Sequence, residues 1–290
     1  MIELPFRPAA INDAGEVAGT TESHRAAVWT ASAGLRELPL PPGFEHSEAV
    51  DINGRGHVLA MAFDRSFMRH APFVYADDKL NVLPGEQARA THINAVDIVA
   101  GESLLPTKTR TDPVLWIDRM IRALGGCCGG TARSVDDRGT AIGDAYDDNG
   151  HYHAVLWTDA RGMQVIGPAQ AYSSAVAANH HAHVLVQVLS RVFLYSDGSL
   201  TRLDLAPKTP THALAINDCD LVVGSFGPFA DADLAFAWDK AGGFQNLNAR
   251  IPADSGWKLE AAVGVNNRGQ IVGKGDPPGK DNGGFLLIPE

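Results

Sequence analysis

The sequence predicts an all-β fold, a seven-bladed β-propeller with four strands per blade. Three observations predict it: an Asx turn that recurs seven times, an apolar strand that follows each turn, and an N-terminal segment matching the one strand that the last copy lacks. A fixed period of about 40–50 residues built from short strands is the signature of propeller blades.

The turns come first. Anchored on the Asn of "IN", the copies fall at Asn12, Asn53, Asn94, Asp136, Asn179, Asn217 and Asn266, at intervals of 41, 41, 42, 43, 38 and 49. In "NDAGE", "NGRGH", "DDRGT" and "NNRGQ" an Asx side chain serves the backbone, and a glycine three residues on supplies a positive φ. These residues read as turn formers rather than as chemistry. Asp97, Ala182 and Asp220 stand at the glycine position of copies 3, 5 and 6. Aspartate tolerates the left-handed region, whereas Ala182 is expected to be strained or to mark a reshaped turn.

The strands follow. "RAAVW", "APFVY", "DPVLW", "HAVLW", "RVFLY", "LAFAW" and "GGFLL" give each copy a third strand, ending on an aromatic in all but the last. One aromatic per blade at one register suits packing between blades. A short strand such as "LRELPL" follows six of them, and the chain ends before the seventh. "MIELPF" resembles that missing strand. The expectation is therefore one propeller domain over residues 1–290, with the N-terminal strand 1–7 pairing with the last blade, 261–290, to close the ring.

Composition narrows the partners. The 34 acidic residues outnumber 24 basic ones for a formal charge of -10, and no basic cluster could track a phosphate backbone, so nucleic acid is not expected. No apolar run is long enough to span a membrane. Three cysteines, two of them the vicinal Cys127 and Cys128, make no disulfide framework and fit a reducing compartment. The start shows no secretory leader, so a cytoplasmic location is expected of the sequence as it stands, and a secreted or periplasmic one if a leader was removed.

The run of "AINDAGEVAG", "HAVLW", "LNARIPADSGW" and "AVGVNNRGQIVG" resembles the HAF-repeat family of bacterial proteins, named for a His-Ala-Phe in the third strand. The resemblance covers all seven copies, although only His153 keeps the family's histidine. It implies a propeller and a mostly secreted or cell-surface setting, and it implies no particular chemistry.

Two residues before each anchor the inner strands carry Ala10, Asp51, His92, Ser134, Ala177, Ala215 and Gly264. Small residues suit a crowded axis, so Asp51, His92 and Ser134 on consecutive blades stand out as candidate catalytic residues, a carboxylate able to orient an imidazole beside a hydroxyl. The alternative is a hydrogen-bonded, wetted polar plug. Cys128, in "GGCCGG", is expected nearby. Loops between second and third strands share the mouth with the connections between blades. They offer Phe63, Phe67, Arg69, Tyr146 and Phe226, with Phe229 and Trp257, as ligand-binding residues.

Histidines in "HYH" and "NHHAH" lack third and fourth ligands at recognisable spacing, so no metal and no cofactor is expected. Two functions follow from this reading. One is a propeller that binds a small molecule, glycan or peptide at the mouth of blades 2–4. The other is an acid–base enzyme, a hydrolase, lyase, isomerase or cyclase, acting on a small, partly apolar substrate at the same mouth.

Overall fold

The computed structural model describes residues 1–126, 129–147, 149–206, 209–228 and 233–289. Seven four-stranded antiparallel sheets form the ring. Six are simple meanders, spanning 7–37, 46–82, 86–123, 130–165, 173–202 and 211–246. The seventh combines three strands between 258 and 287 with Ile2–Leu4, which pairs antiparallel with Gly283–Leu287, Glu3 facing Phe285. The closing strand is shorter than the segment 1–7 expected from sequence, because Arg7 already belongs to the inner strand of blade 1. Leu4 and Phe6 are buried on either side of this handover. Among the described residues the only helical turns are Leu247–Ala249 and Ala253–Ser255, both in the insertion before blade 7.

The apolar residues form one cluster at each seam between neighbouring blades. Leu59, Met61 and Val74 of blade 2, for example, pack on Ala90, Val99 and Trp116 of blade 3. Leu4, Phe6 and Leu286 meet Ile11 and Val17 where the last blade meets the first. Each blade is thus apolar on both faces and has no core of its own, which makes closure of the ring a condition of burial. The third-strand aromatics serve these seams: Trp116 and Trp157 are almost fully buried, and their indole N–H groups donate to the carbonyls of Pro84 and Gly125.

Every inner strand carries a β-bulge at the same register, between Pro8 and Ala10 in blade 1 and at the equivalent place in the other six. A bulge bends the strand and re-aims one side chain. It also brings a carbonyl close to the second strand. A Cβ added to Gly101 would lie 2.1 Å from the Arg89 carbonyl oxygen, which explains the glycine of "VAGE".

The anchor asparagines do more than shape turns. Each Oδ1 accepts amides of its own turn, as Asn12 does from Ala14 and Glu16. Each Nδ2 donates to the anchor carbonyl of the next blade: Asn12 to Asn53, Asn53 to Asn94, Asn94 to Asp136, Asn179 to Asn217, Asn217 to Asn266, and Asn266 back to Asn12, at 2.8–3.1 Å. Asp136 has no N–H to give, so the seam from blade 4 to blade 5 lacks this clasp among the described residues. The departures from the turn pattern are explained alongside. Asp97 and Asp220 adopt positive φ of 66° and 58°, and each accepts from the preceding blade, from Asn53 and His57 in one case and Asn179 and His183 in the other. Ala182 is held at φ 60°, the strain anticipated for it.

Candidate functional site

The bulge residues Ala9, Val50, Thr91, Arg133, Val176, Leu214 and Val263, with the residues that follow them, line a channel cavity of about 490 Å³. Its lining continues into the anchor turns, so it occupies the half of the channel nearer the first-to-second-strand turns. Asp51, His92 and Ser134 all line it, as neighbours on blades 2, 3 and 4. Blades 5, 6, 7 and 1 offer only alanine, valine, leucine and glycine at the two corresponding levels.

Asp51 is mostly buried, and its two carboxylate oxygens accept the amides of Ile52 at 2.8 Å and Ile93 at 3.0 Å. Burial pushes its carboxyl above the usual carboxylate range, against the pull of His92 and the two amides. His92 Nε2 stands 3.8 Å from Asp51 Oδ2, an ion-pair distance rather than a hydrogen bond. Its Nδ1 accepts a long bond of 3.4 Å from the Val135 amide, which favours the tautomer with the proton on Nε2, facing Asp51. Among the described residues neither ring nitrogen is bonded to Ser134. The carboxylate–imidazole pair is assembled, and a relay onto the serine hydroxyl is not.

Two residues at the bulge level were not singled out from sequence. Thr91 directs its hydroxyl to the carbonyls of Ala100 and Ala132, so it ties blade 3 to blade 4. Arg133 is the more consequential. Its Nε donates to Asp144 at 2.8 Å, its side chain is 44% exposed, and it lines the cavity. Asp144 is fully buried and also accepts from the Tyr152 hydroxyl at 3.2 Å and the Ala175 amide at 3.0 Å, the latter across the blade 4–5 seam that lacks the asparagine clasp. Burial and the nearby Asp144 push the Tyr152 phenol up to about 12. The guanidinium therefore stays charged and is aimed by a buried carboxylate. The signal for it in the sequence is a lone charge at a register otherwise filled by Ala, Val, Thr and Leu.

The turn end of the cavity carries Asp13 and Asp218, and Asp137 occupies the equivalent turn of blade 4 outside the lining. Their carboxylates accept the amides of Asn267, His180 and Ala95 from the blade before, so they are committed to binding the ring together. His180 also lines the cavity, its Nδ1 3.1 Å from Asp218.

The residues expected at an apolar rim lie apart from this cavity. None of Phe63, Phe67, Arg69, Tyr146, Phe226 and Trp257 lines the cavity. Phe67, at φ 59° and 45% exposed, stacks on His46 at 4.8 Å, with Phe63 and His24 against it, in a cluster at the seam of blades 1 and 2. His70 lies against Phe63, its imidazole pushed down by burial and by Arg89. Arg69 folds back over Phe44 and donates to the Gly43 carbonyl. Tyr146 packs on Tyr152, with Arg110 above it. Phe226 and Trp257 are packing residues, against Phe244 and Phe285 respectively. Cys128 and Phe229 lie outside the described residues.

These features define a propeller whose channel cavity is polar on one side, and solved structures place it among propellers of several kinds. The chain is similar over its full length to the β-propeller domain of the Trilobed protease from Pyrococcus furiosus, at 10% identity and a TM-score of 0.69 over 97% of that chain. It is similar to virginiamycin B lyase from Staphylococcus aureus at 11% identity and a TM-score of 0.62, over 99% of both chains. YCF48 from Cyanidioschyzon merolae matches at 10% identity and a TM-score of 0.57, over 100% of this chain and 98% of that one. Identities this low speak for the fold alone. No known family model matches the chain, and no curated protein matches it in sequence. Among the described residues no helix is long and apolar enough to cross a membrane.

Proposed function

We propose that the whole chain, 1–290, acts as one ligand-binding propeller that takes a small molecule, partly apolar and bearing a carboxylate or phosphate group, into the channel cavity against blades 2–4. The observation that carries this reading is the one-sided wall. Arg133, His92, Asp51 and Ser134 project from three consecutive blades, while the same register elsewhere is aliphatic. A guanidinium held by a buried carboxylate is a pre-aimed partner for an oxyanion, and the aliphatic wall suits an apolar body. A cavity of about 490 Å³ fits a small molecule better than a folded partner or a long glycan. The repeat motifs keep the HAF-repeat propellers as the family this reading favours.

The test is mass spectrometry of compounds retained by the protein after incubation with a cell extract and gel filtration. An acidic compound held by wild type and lost in Arg133→Ala is the expected result. Equal retention by the two proteins would overturn the reading.

A second reading, acid–base catalysis on the same ligand, is favoured by the Asp51–His92 pair. His92 faces Asp51 across a gap of 3.8 Å, which leaves its Nε2–H available to a ligand atom. If a retained compound is also consumed, His92→Ala is expected to abolish consumption while leaving retention largely intact.

A further inference from the structure

The hairpin between the second and third strands of blade 4 brings together three side chains that the channel does not use. Asp147 follows the strand Ala141–Tyr146, His151 precedes the strand Tyr152–Thr158, and His153 lies within it. One ligand atom from each falls within 4.8 Å of the others. From the sequence "HYH" supplied two imidazoles and no third ligand. The third is the aspartate four residues before His151, brought back by the turn.

The arrangement is built rather than incidental. Asp147 Oδ1 accepts the amides of Asn149 at 2.9 Å and His151 at 2.8 Å, which fixes the carboxylate plane. Oδ2 is then directed at two imidazoles, 3.5 Å from His151 Nδ1 and 3.4 Å from His153 Nε2. Two other histidine–aspartate pairs in this molecule provide the contrast. His57 meets Asp97 at 2.8 Å and His183 meets Asp220 at 2.7 Å, both ordinary hydrogen bonds. Asp147 Oδ2 stands further from both of its histidines than the aspartates of those two pairs do. Ligands about 2.0–2.1 Å from a tetrahedral ion are about 3.3–3.4 Å from each other, close to the two carboxylate–imidazole separations seen here. His153 is nearly fully buried, and its Nδ1 has no hydrogen-bond partner, so the ring is held there without a bond at that nitrogen. Exposure rises from His153 through Asp147 to His151, at 4%, 25% and 61% of each side chain, so the remaining coordination positions face solvent.

We infer that Asp147, His151 and His153 form a site for a divalent transition-metal ion of the zinc class, with two imidazoles and one carboxylate as protein ligands and the outer position open to water or a small ligand. Two imidazoles disfavour calcium and magnesium, which take oxygen ligands, and among the described residues no thiolate joins the cluster to select a softer ion. The ion would staple the blade 4 hairpin and present an open coordination position on the face of the ring bearing the second-to-third-strand loops.

The test is equilibrium dialysis of zinc sulfate against the full chain after chelator treatment, with cobalt(II) absorption as a second readout. Wild type is expected to bind one equivalent tightly, and the cobalt form to show the intense visible bands of a four-coordinate site. His151→Ala and Asp147→Asn are expected to weaken that binding at least tenfold. His151 is exposed, and asparagine keeps the Oδ1 that holds the turn, so neither change threatens the fold; far-ultraviolet circular dichroism checks this. His181→Ala, in the other histidine cluster, is expected to leave binding unchanged. Absence of saturable binding, or wild-type binding by both His151→Ala and Asp147→Asn, would overturn the proposal.

Discussion

The channel wall of blades 2–4 and that of blades 5–7 are made by one device and do opposite things. In both, a bulge near the end of the inner strand turns one residue to the axis and sets the next beside it. Blades 5–7 fill those places with Val176, Ala177, Leu214, Ala215, Val263 and Gly264, and nothing there asks for a partner. Blades 2–4 fill them with Val50, Asp51, Thr91, His92, Arg133 and Ser134, and additional hydrogen bonds are recruited to support them. The lesson is that the backbone fixes where a side chain can go, and chemistry is a matter of which blades depart from the small apolar default.

The sharpest way to break the contrast is to remove what aims Arg133. Asp144→Ala should destabilise the protein by about 3 kcal/mol, because it leaves a guanidinium, a phenol and the Ala175 amide without their buried acceptor. Denaturant unfolding measures this, and a loss below about 1 kcal/mol would mean that the polar sector does not depend on it. Arg133→Ala tests the other end of the same bond. Retention of an acidic ligand should fall at least about tenfold, about 1.4 kcal/mol, whereas Leu214→Ala on the opposite wall should change it little.

Where the polar sector meets the apolar one, the ring lacks one clasp. Asp136→Asn restores a donor toward the Asn179 carbonyl and is expected to stabilise the protein by about 1 kcal/mol, while Asn94→Asp at an intact seam should cost about as much. Ala182→Gly, within blade 5, relieves a left-handed alanine and should add about 1 kcal/mol or slightly less, since glycine returns part of that gain as chain entropy. Paired thermal melts resolve both.

A pH measurement probes Asp51. Its folded pKa lies above its unfolded one, so the folded state holds the proton longer. The group therefore withdraws stability as pH rises from the ordinary carboxylate value through the folded one. Carboxyl NMR should find Asp51 titrating late among the aspartates. It should titrate later still in His92→Ala, which removes the imidazole that lowers it. An unmoved value in that variant would show the two groups to be uncoupled.

The ring, its blade count and its closure were legible in the sequence because they are written in periodic residues, and a repeat averages out local ambiguity. Asp51, His92 and Ser134 were legible as neighbours for the same reason. The rest depended on relations between copies. Asn12 reads as a turn former because its Oδ1 acts on residues two and four ahead, but its Nδ2 acts 41 residues ahead. Asp97 looks like a lapse until His57 of the neighbouring blade is placed against it. Arg133 escaped because a bulge, which no periodicity predicts, swings the residue one step earlier into the channel. The packing of the loop aromatics is not legible in the sequence, because hydrophobicity alone does not say whether a Phe or Trp faces an opening or a seam, and Phe226 and Trp257 pack into seams.

The pairing of Ile2–Leu4 with Gly283–Leu287 joins the first and last strands of the propeller at one outer edge of the ring. During synthesis the first strand emerges with no partner and waits for the last blade to be made, a contact of the greatest sequence separation in the molecule and among the last that folding can form. A permuted chain with a short linker across that edge, reopened in the loop between residues 63 and 70, would turn this longest-range contact into a local hairpin. It would also show how much of the folding time is spent waiting for the ends to meet.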